Sequence, residues 1–109
     1  MKKYYHFERY SILTDDLTTC IECGRKGIIN KHEIFGGRNR QNSIKYGLVI
    51  PLCQAEHHNQ YEMKGIHFDI EMMNKWHKIG QEAFENKYKD LDFMSIFRKN
   101  YKWGYYGIQ

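Results

Sequence analysis

The chain has 109 residues, among them 9 tyrosines, 6 phenylalanines, 2 tryptophans and a single proline, and a formal net charge of +4. That length fits one domain with a modest core, and the lone proline excludes a proline-rich disordered linker. No stretch reaches the ~20 apolar residues of a membrane span, and the mild positive charge is a weak pointer to an anionic partner.

Residues 1–19 read as an extended N-terminal arm. In it Tyr4, His6, Glu8 and Tyr10 alternate with Tyr5, Phe7, Arg9 and Ser11, the two-residue period of a half-exposed strand. The lysines near the start are followed by no apolar run, so no signal peptide is read there and a cytoplasmic location is expected. Cys20 to Gly24 reads as a tight knuckle, with Gly24 free to take a positive φ so that backbone N–H groups face sulfur. The run from Gly27 to Phe35 predicts a strand. Gly36-Gly37 ends it and opens a polar loop from Arg38 to Ser43. Leu48 to Leu52 predicts a second short apolar strand with Pro51 near its end.

Cys53 to about Met63 reads as helical. Asp69 is placed to cap a longer helix whose apolar positions Ile70, Met73, Trp76, Ile79 or Gly80, Ala83, Phe84 and Tyr88 have helical spacing. That stripe reads as the core-facing side of a packing helix, against the alternative of a partner-binding face. Leu91 to Phe97 suggests a last short helix. The tail, 101–109, is aromatic and basic, suited to stacking on bases or to packing on the domain. The expectation is one α+β domain: arm 1–19, core 20–68, packing helices 69–100, tail 101–109.

All three cysteines and four of the six histidines fall between Cys20 and His67. An odd number of cysteines, two of them as Cys-x-x-Cys, favours metal binding over a disulfide framework. Cys20, Cys23 and Cys53 have the spacing of a treble clef, a knuckle–hairpin–helix zinc unit. Glu56 stands where a second Cys-x-x-Cys would end, and His57, one residue on, shares a helical face with Cys53. The set reads as a tetrahedral Cys3His structural zinc site, against the blander alternative of buried free thiols. Such a site contributes roughly 10–16 kcal/mol of binding free energy to folding, comparable to the whole stability of a domain.

His32, Glu33, His58 and His67 remain, with Glu62 four residues after His58. An ion shared by Cys23 and Cys53 draws the first strand against the segment carrying His58, making His32 and His58 neighbours. Arg25, Lys26, Lys31, Arg38, Arg40 and Lys45 crowd the stretch 25–45 around them.

The joined series His32-Glu33-Ile34-Phe35-Gly36-Gly37, Asn39-Arg40, Ser43, Tyr46-Gly47-Leu48, Leu52-Cys53-x3-His57-His58-Asn59 and Gly65-Ile66-His67-Phe68 resembles the HNH endonucleases, in particular the small phage and prophage members. The resemblance covers about residues 20 to 88. It implies a small ββα-metal module on the treble-clef zinc site, with an additional C-terminal helix or two. It further implies hydrolysis of DNA phosphodiester bonds with one divalent cation (Mg2+, Mn2+, Ni2+ or Zn2+), low sequence specificity, and a phage or prophage protein acting in the bacterial host cytoplasm. By the same resemblance His32, Glu33, His58 and Arg40 are catalytic. His32, His58 and His67 hold the catalytic metal, with Glu62 as the alternative to His67. Arg38, Arg40 and Lys45 contact nucleic acid, and Asn59 fixes the loop. Ser43 is read as a turn cap rather than a nucleophile. Family members often carry Asp-His or His-His at the end of the first strand. Here the pair is His32-Glu33, which leaves the general base open between them. The competing reading is a zinc-stapled nucleic-acid-binding module without catalysis, and a structural phage component is a third.

Overall fold

The computed structural model describes residues 8–59 and 62–102. Two strands, β1 (Ile29–Glu33) and β2 (Val49–Cys53), pair antiparallel, with Ile29 opposite Cys53 and Glu33 opposite Val49. Among the described residues three α-helices accompany them: α1 (Arg40–Lys45), α2 (Ile70–Lys87) and α3 (Phe93–Phe97). The architecture is α+β, as the patterning implied. A two-stranded hairpin is marginal alone in water. Here β2 is buried along its whole length, in a core that includes Phe35, Leu48, Ile50, Leu52, Ile66, Trp76, Phe84, Phe93 and Phe97. Phe93 and Phe97 stack at 4.3 Å between ring centroids, and Tyr46 meets Phe84 edge-on at 5.3 Å.

The segment after β1 departs from expectation. Instead of a polar loop from Arg38 to Ser43, the chain makes a 3-10 turn (Gly37–Asn39) and then α1. The polar side chains that suggest a loop are used inside the molecule. Ser43 Oγ accepts the Phe35 N–H (3.0 Å) and donates to the Phe35 carbonyl (2.8 Å), so it ties down the end of β1 rather than capping a turn. The Asn39 amide donates to the Phe97 carbonyl (3.1 Å) and Asn42 to that of Ile96 (3.3 Å). Those bonds anchor α1 on α3 and satisfy carbonyls at the end of α3.

The helix expected from Cys53 to Met63 is also replaced, here by successive turns among the described residues. The N–H groups of His57 and His58 both reach the Cys53 carbonyl at 3.0 Å. Asn59 then diverts the chain: its side chain accepts from Glu62 N–H (3.0 Å) and donates to the Ala55 carbonyl (3.1 Å). Local side-chain bonds of this kind compete with helix continuation. Cys53 and His57 still come together, through one turn rather than a helical face.

α2 starts where the sequence places it, with the Asp69 carboxylate accepting from Glu71 and Met72 N–H at 3.1 Å. Its buried face includes Trp76, Gly80, Gln81 and Phe84, while Ile70, expected inside, is 55% exposed. A Cβ on Gly80 would lie 3.1 Å from Ile34 and 3.3 Å from Phe35, so the helix axis passes close to the end of β1. Residues 8–11 form no strand; Ile12 N–H bonds to the Gly47 carbonyl (2.9 Å) and Tyr10 Oη to that of Lys45 (2.6 Å), laying the arm over the corner after α1. The strand pattern expected from Tyr4 to Phe7 lies outside the described residues, as does the tail beyond 102. Tyr101 packs on Phe35 at 4.6 Å and on His77 at 4.7 Å. Among the described residues no helix is long and apolar enough to cross a membrane.

Candidate metal centres

The knuckle is closed by Gly24 N–H on the Cys20 carbonyl (2.8 Å) and docked on the hairpin by Ile21 N–H on the Pro51 carbonyl (2.9 Å). Cys53 ends β2, and His57 follows one turn later. The resulting spacings are 3.8 Å for Cys23 Sγ to Cys53 Sγ, 3.6 Å for Cys20 Sγ to His57 Nδ1 and 3.3 Å for Cys53 Sγ to His57 Nδ1. A tetrahedral ion with bonds of ~2.3 Å to sulfur and ~2.05 Å to nitrogen sets two sulfurs about 3.8 Å apart and a sulfur and a nitrogen about 3.6 Å apart. Cys20, Cys23, Cys53 and His57 are therefore positioned to bind a metal ion.

The charges of this cluster point the same way. Burial pushes the Cys53 thiol up, yet hydrogen bonds from the His57 side chain and backbone bring it down to about 6. The Arg25 N–H favours a Cys23 thiolate, but burial and the sulfurs of Cys20 and Cys53 outweigh it and raise that thiol. Three crowded sulfurs cannot all ionise without a cation among them. Between the two knuckle cysteines, Glu22 reaches outward and accepts from Trp76 Nε1 and Lys75 Nζ, each at 2.6 Å. Burial raises its carboxyl, and those two donors more than reverse this. The pair latches α2 onto the knuckle.

A second cluster lies on the other side of the His57–His58 peptide. His32 comes from β1, His58 from the turns after β2, and His67 from a short 3-10 turn, Ile66–Phe68. His58 Nε2 is 3.3 Å from His32 Nδ1 and 3.2 Å from His67 Nε2, and the three ligand atoms all lie within 4.8 Å of one another. Nitrogens bound ~2.05 Å from one ion sit about 3.0–3.4 Å apart. Burial, then the neighbouring imidazoles, pushes His32 down to about 3. Burial and His67 also lower His58, against the pull of Glu33. Neutral imidazole is the form that ligates metals.

Gly65 makes this convergence possible. Its φ is +93°, and a Cβ there would lie 2.3 Å from the His57 carbonyl and 2.7 Å from His58 N. The chain thus folds back directly on the His57–His58 peptide, with Ile66 N–H on the His57 carbonyl (3.0 Å), and His67 arrives beside His58. Glu62, the alternative to His67, instead pairs with Lys64 at 3.2 Å on the exposed surface.

Glu33 stands beside the imidazoles without joining them. Its carboxylate takes Arg9 Nε at 2.6 Å and Arg40 Nε at 3.6 Å. Arg40 borders the same cleft as His32, His58 and His67, whereas Arg38 and Lys45 are exposed and do not line it. Lys45 lies over the Tyr46 ring at 5.3 Å.

Sequence reasoning passed over His77. It lines the cleft, stacks on Phe35 at 5.2 Å, and is held down to about 4 by burial despite a hydrogen bond to the Ile34 backbone. The signal was its spacing: with Met73, Gly80 and Phe84 it follows an i, i+4, i+7, i+11 stripe. Compared with family models, curated proteins and solved structures, the chain matches none.

Proposed function

We propose that this protein is a metal-dependent DNA endonuclease of the HNH type, a ββα-metal module carried on a treble-clef zinc site. The observation that carries the reading is the convergence of His32, His58 and His67 at metal-ligand spacing on a cleft bordered by Arg40. Four ligands including thiolates describe a closed structural centre, for which zinc is the natural occupant; three imidazoles describe an open one. The sequence resemblance to HNH endonucleases supplies the reaction class.

When bound by the imidazoles, a divalent cation supplies Lewis-acid polarisation of a phosphoryl oxygen and of the attacking water. The remaining roles fall to the chain. His32 is a ligand in this reading, because a group held near 3 stays neutral at working pH and is a weak base. Glu33 holds Arg40 at the cleft, where its guanidinium receives a phosphate. Binding through phosphates makes the interaction salt-dependent and only weakly sequence-specific.

The same Glu33 geometry favours the second reading, a nucleic-acid-binding module without catalysis, since both of its oxygens face guanidinium groups. Nicking of supercoiled plasmid in Mg2+, Mn2+, Ni2+ or Zn2+ separates the two. The expected result is nicked circles from the wild-type chain and none from His67→Ala, with the thiolate-held ion retained in both. A protein carrying both ions that binds DNA and cuts it in no divalent metal overturns the nuclease reading.

A further inference from the structure

We infer that Asn30 is a positioning residue that fixes the tautomer of His58 and so makes Nε2 its metal-facing nitrogen. The inference rests on the imidazole cluster being a cation site and adds a residue that neither motif nor spacing marks.

Asn30 and His32 are two apart on β1, so their side chains leave the same face of the strand. His32 enters the cluster directly. Asn30 reaches it one step removed: its Oδ1 lies 3.1 Å from His58 Nδ1. An amide oxygen accepts and cannot donate, so the ring nitrogen facing it must carry the proton. A neutral imidazole has one N–H. With that proton on Nδ1, the lone pair of His58 sits on Nε2.

Nε2 is the atom on which the cluster closes, 3.3 Å from His32 Nδ1 and 3.2 Å from His67 Nε2. If the proton sat there instead, the central ligand would present an N–H to the ion and could not bind it. Histidine free in water prefers the proton on Nε2, so the ligating form of His58 needs an acceptor behind Nδ1. The side-chain acceptor recorded for that nitrogen is Asn30, and the ring also has a hydrogen bond to the His58 backbone. An outer partner of this kind also holds the ring plane and raises ligand basicity.

The test uses the full chain with the thiolate-held ion in place and the imidazole site stripped by a chelator that spares it. Long-range 15N–1H correlations of the His58 ring read the tautomer directly, without metal or DNA at the cluster. The wild-type ring is expected to be protonated at Nδ1. Asn30→Ala is expected to move the proton to Nε2 and weaken Ni2+ binding at the cluster by roughly 10- to 100-fold. Asn30→Asp, which restores an acceptor, should return both to near wild type. A wild-type His58 protonated at Nε2, or an Asn30→Ala chain with unchanged Ni2+ affinity and tautomer, overturns the assignment. Should Asn30→Ala fail to fold, the wild-type and Asn30→Asp tautomers decide. Because the ring is read without DNA, a chain that nicks no plasmid leaves the inference standing, and a wrong tautomer removes it whether or not DNA is cut.

Discussion

His77, which belongs to neither ligand set, carries a pH signature of its own. Burial lowers its pKa from 6.5 to about 4, so the unfolded chain binds this proton first as pH falls. Its contribution to stability is complete above about pH 6.5, declines as pH drops toward 4, and changes no further below. The size is on the order of 3 kcal/mol. His77→Phe keeps the stack on Phe35 and removes the titration. Denaturant unfolding of both proteins across pH 4–7 is expected to show a shallower acid decline for the variant, and parallel declines would refute the assignment. Glu22→Gln loses the ion pair to Lys75 and weakens the bond from Trp76, with an expected cost of about 1–2 kcal/mol. Thermal unfolding followed by tryptophan fluorescence measures it. These residues also mark how far the sequence can be read. Cys20, Cys23, Cys53 and His57 were legible because metal chemistry demands few residue types at narrow spacings. Glu22 meeting Trp76 was not: two ordinary residues 54 positions apart carry no pattern until the knuckle and α2 are placed side by side.

The Gly65 turn is the element on which the imidazole cluster depends. Gly65→Ala would force a side chain into a left-handed backbone and against the His57 carbonyl. The expected cost is roughly 2–4 kcal/mol. Ni2+ affinity at the imidazoles should fall more than tenfold, read by calorimetric titration alongside the melting temperature. A variant with wild-type values in both would show that the turn tolerates a Cβ. Elements with a strong pattern, both strands, α2 and α3, could be read from the sequence. α1 could not, because its stabilising bonds run from Asn39, Asn42 and Ser43 to distant backbone rather than from an apolar stripe. The segment after Cys53 misled for the opposite reason. Its composition suits a helix, but Asn59 spends its side chain on local backbone groups, and Met63 at φ 57° and Gly65 at φ +93° turn the chain away.

At the scale of the whole molecule, two donor sets of different chemistry share one small fold. The all-nitrogen set favours Ni2+, Co2+ or Zn2+ over Mg2+, which prefers oxygen. Competition titrations on a chain with its thiolate-held ion in place should show that order, and tighter binding of Mg2+ would contradict it. The two sets are also covalent neighbours, since His57 serves one and His58 the other. Losing the sulfur-bound ion releases His57 and with it the peptide against which Gly65 and His67 are folded. On the proposed reading filling is then hierarchical, the thiophilic ion first and its companion only afterwards. On that reading, a chain lacking that first ion would have no imidazole site at all rather than a weakened one.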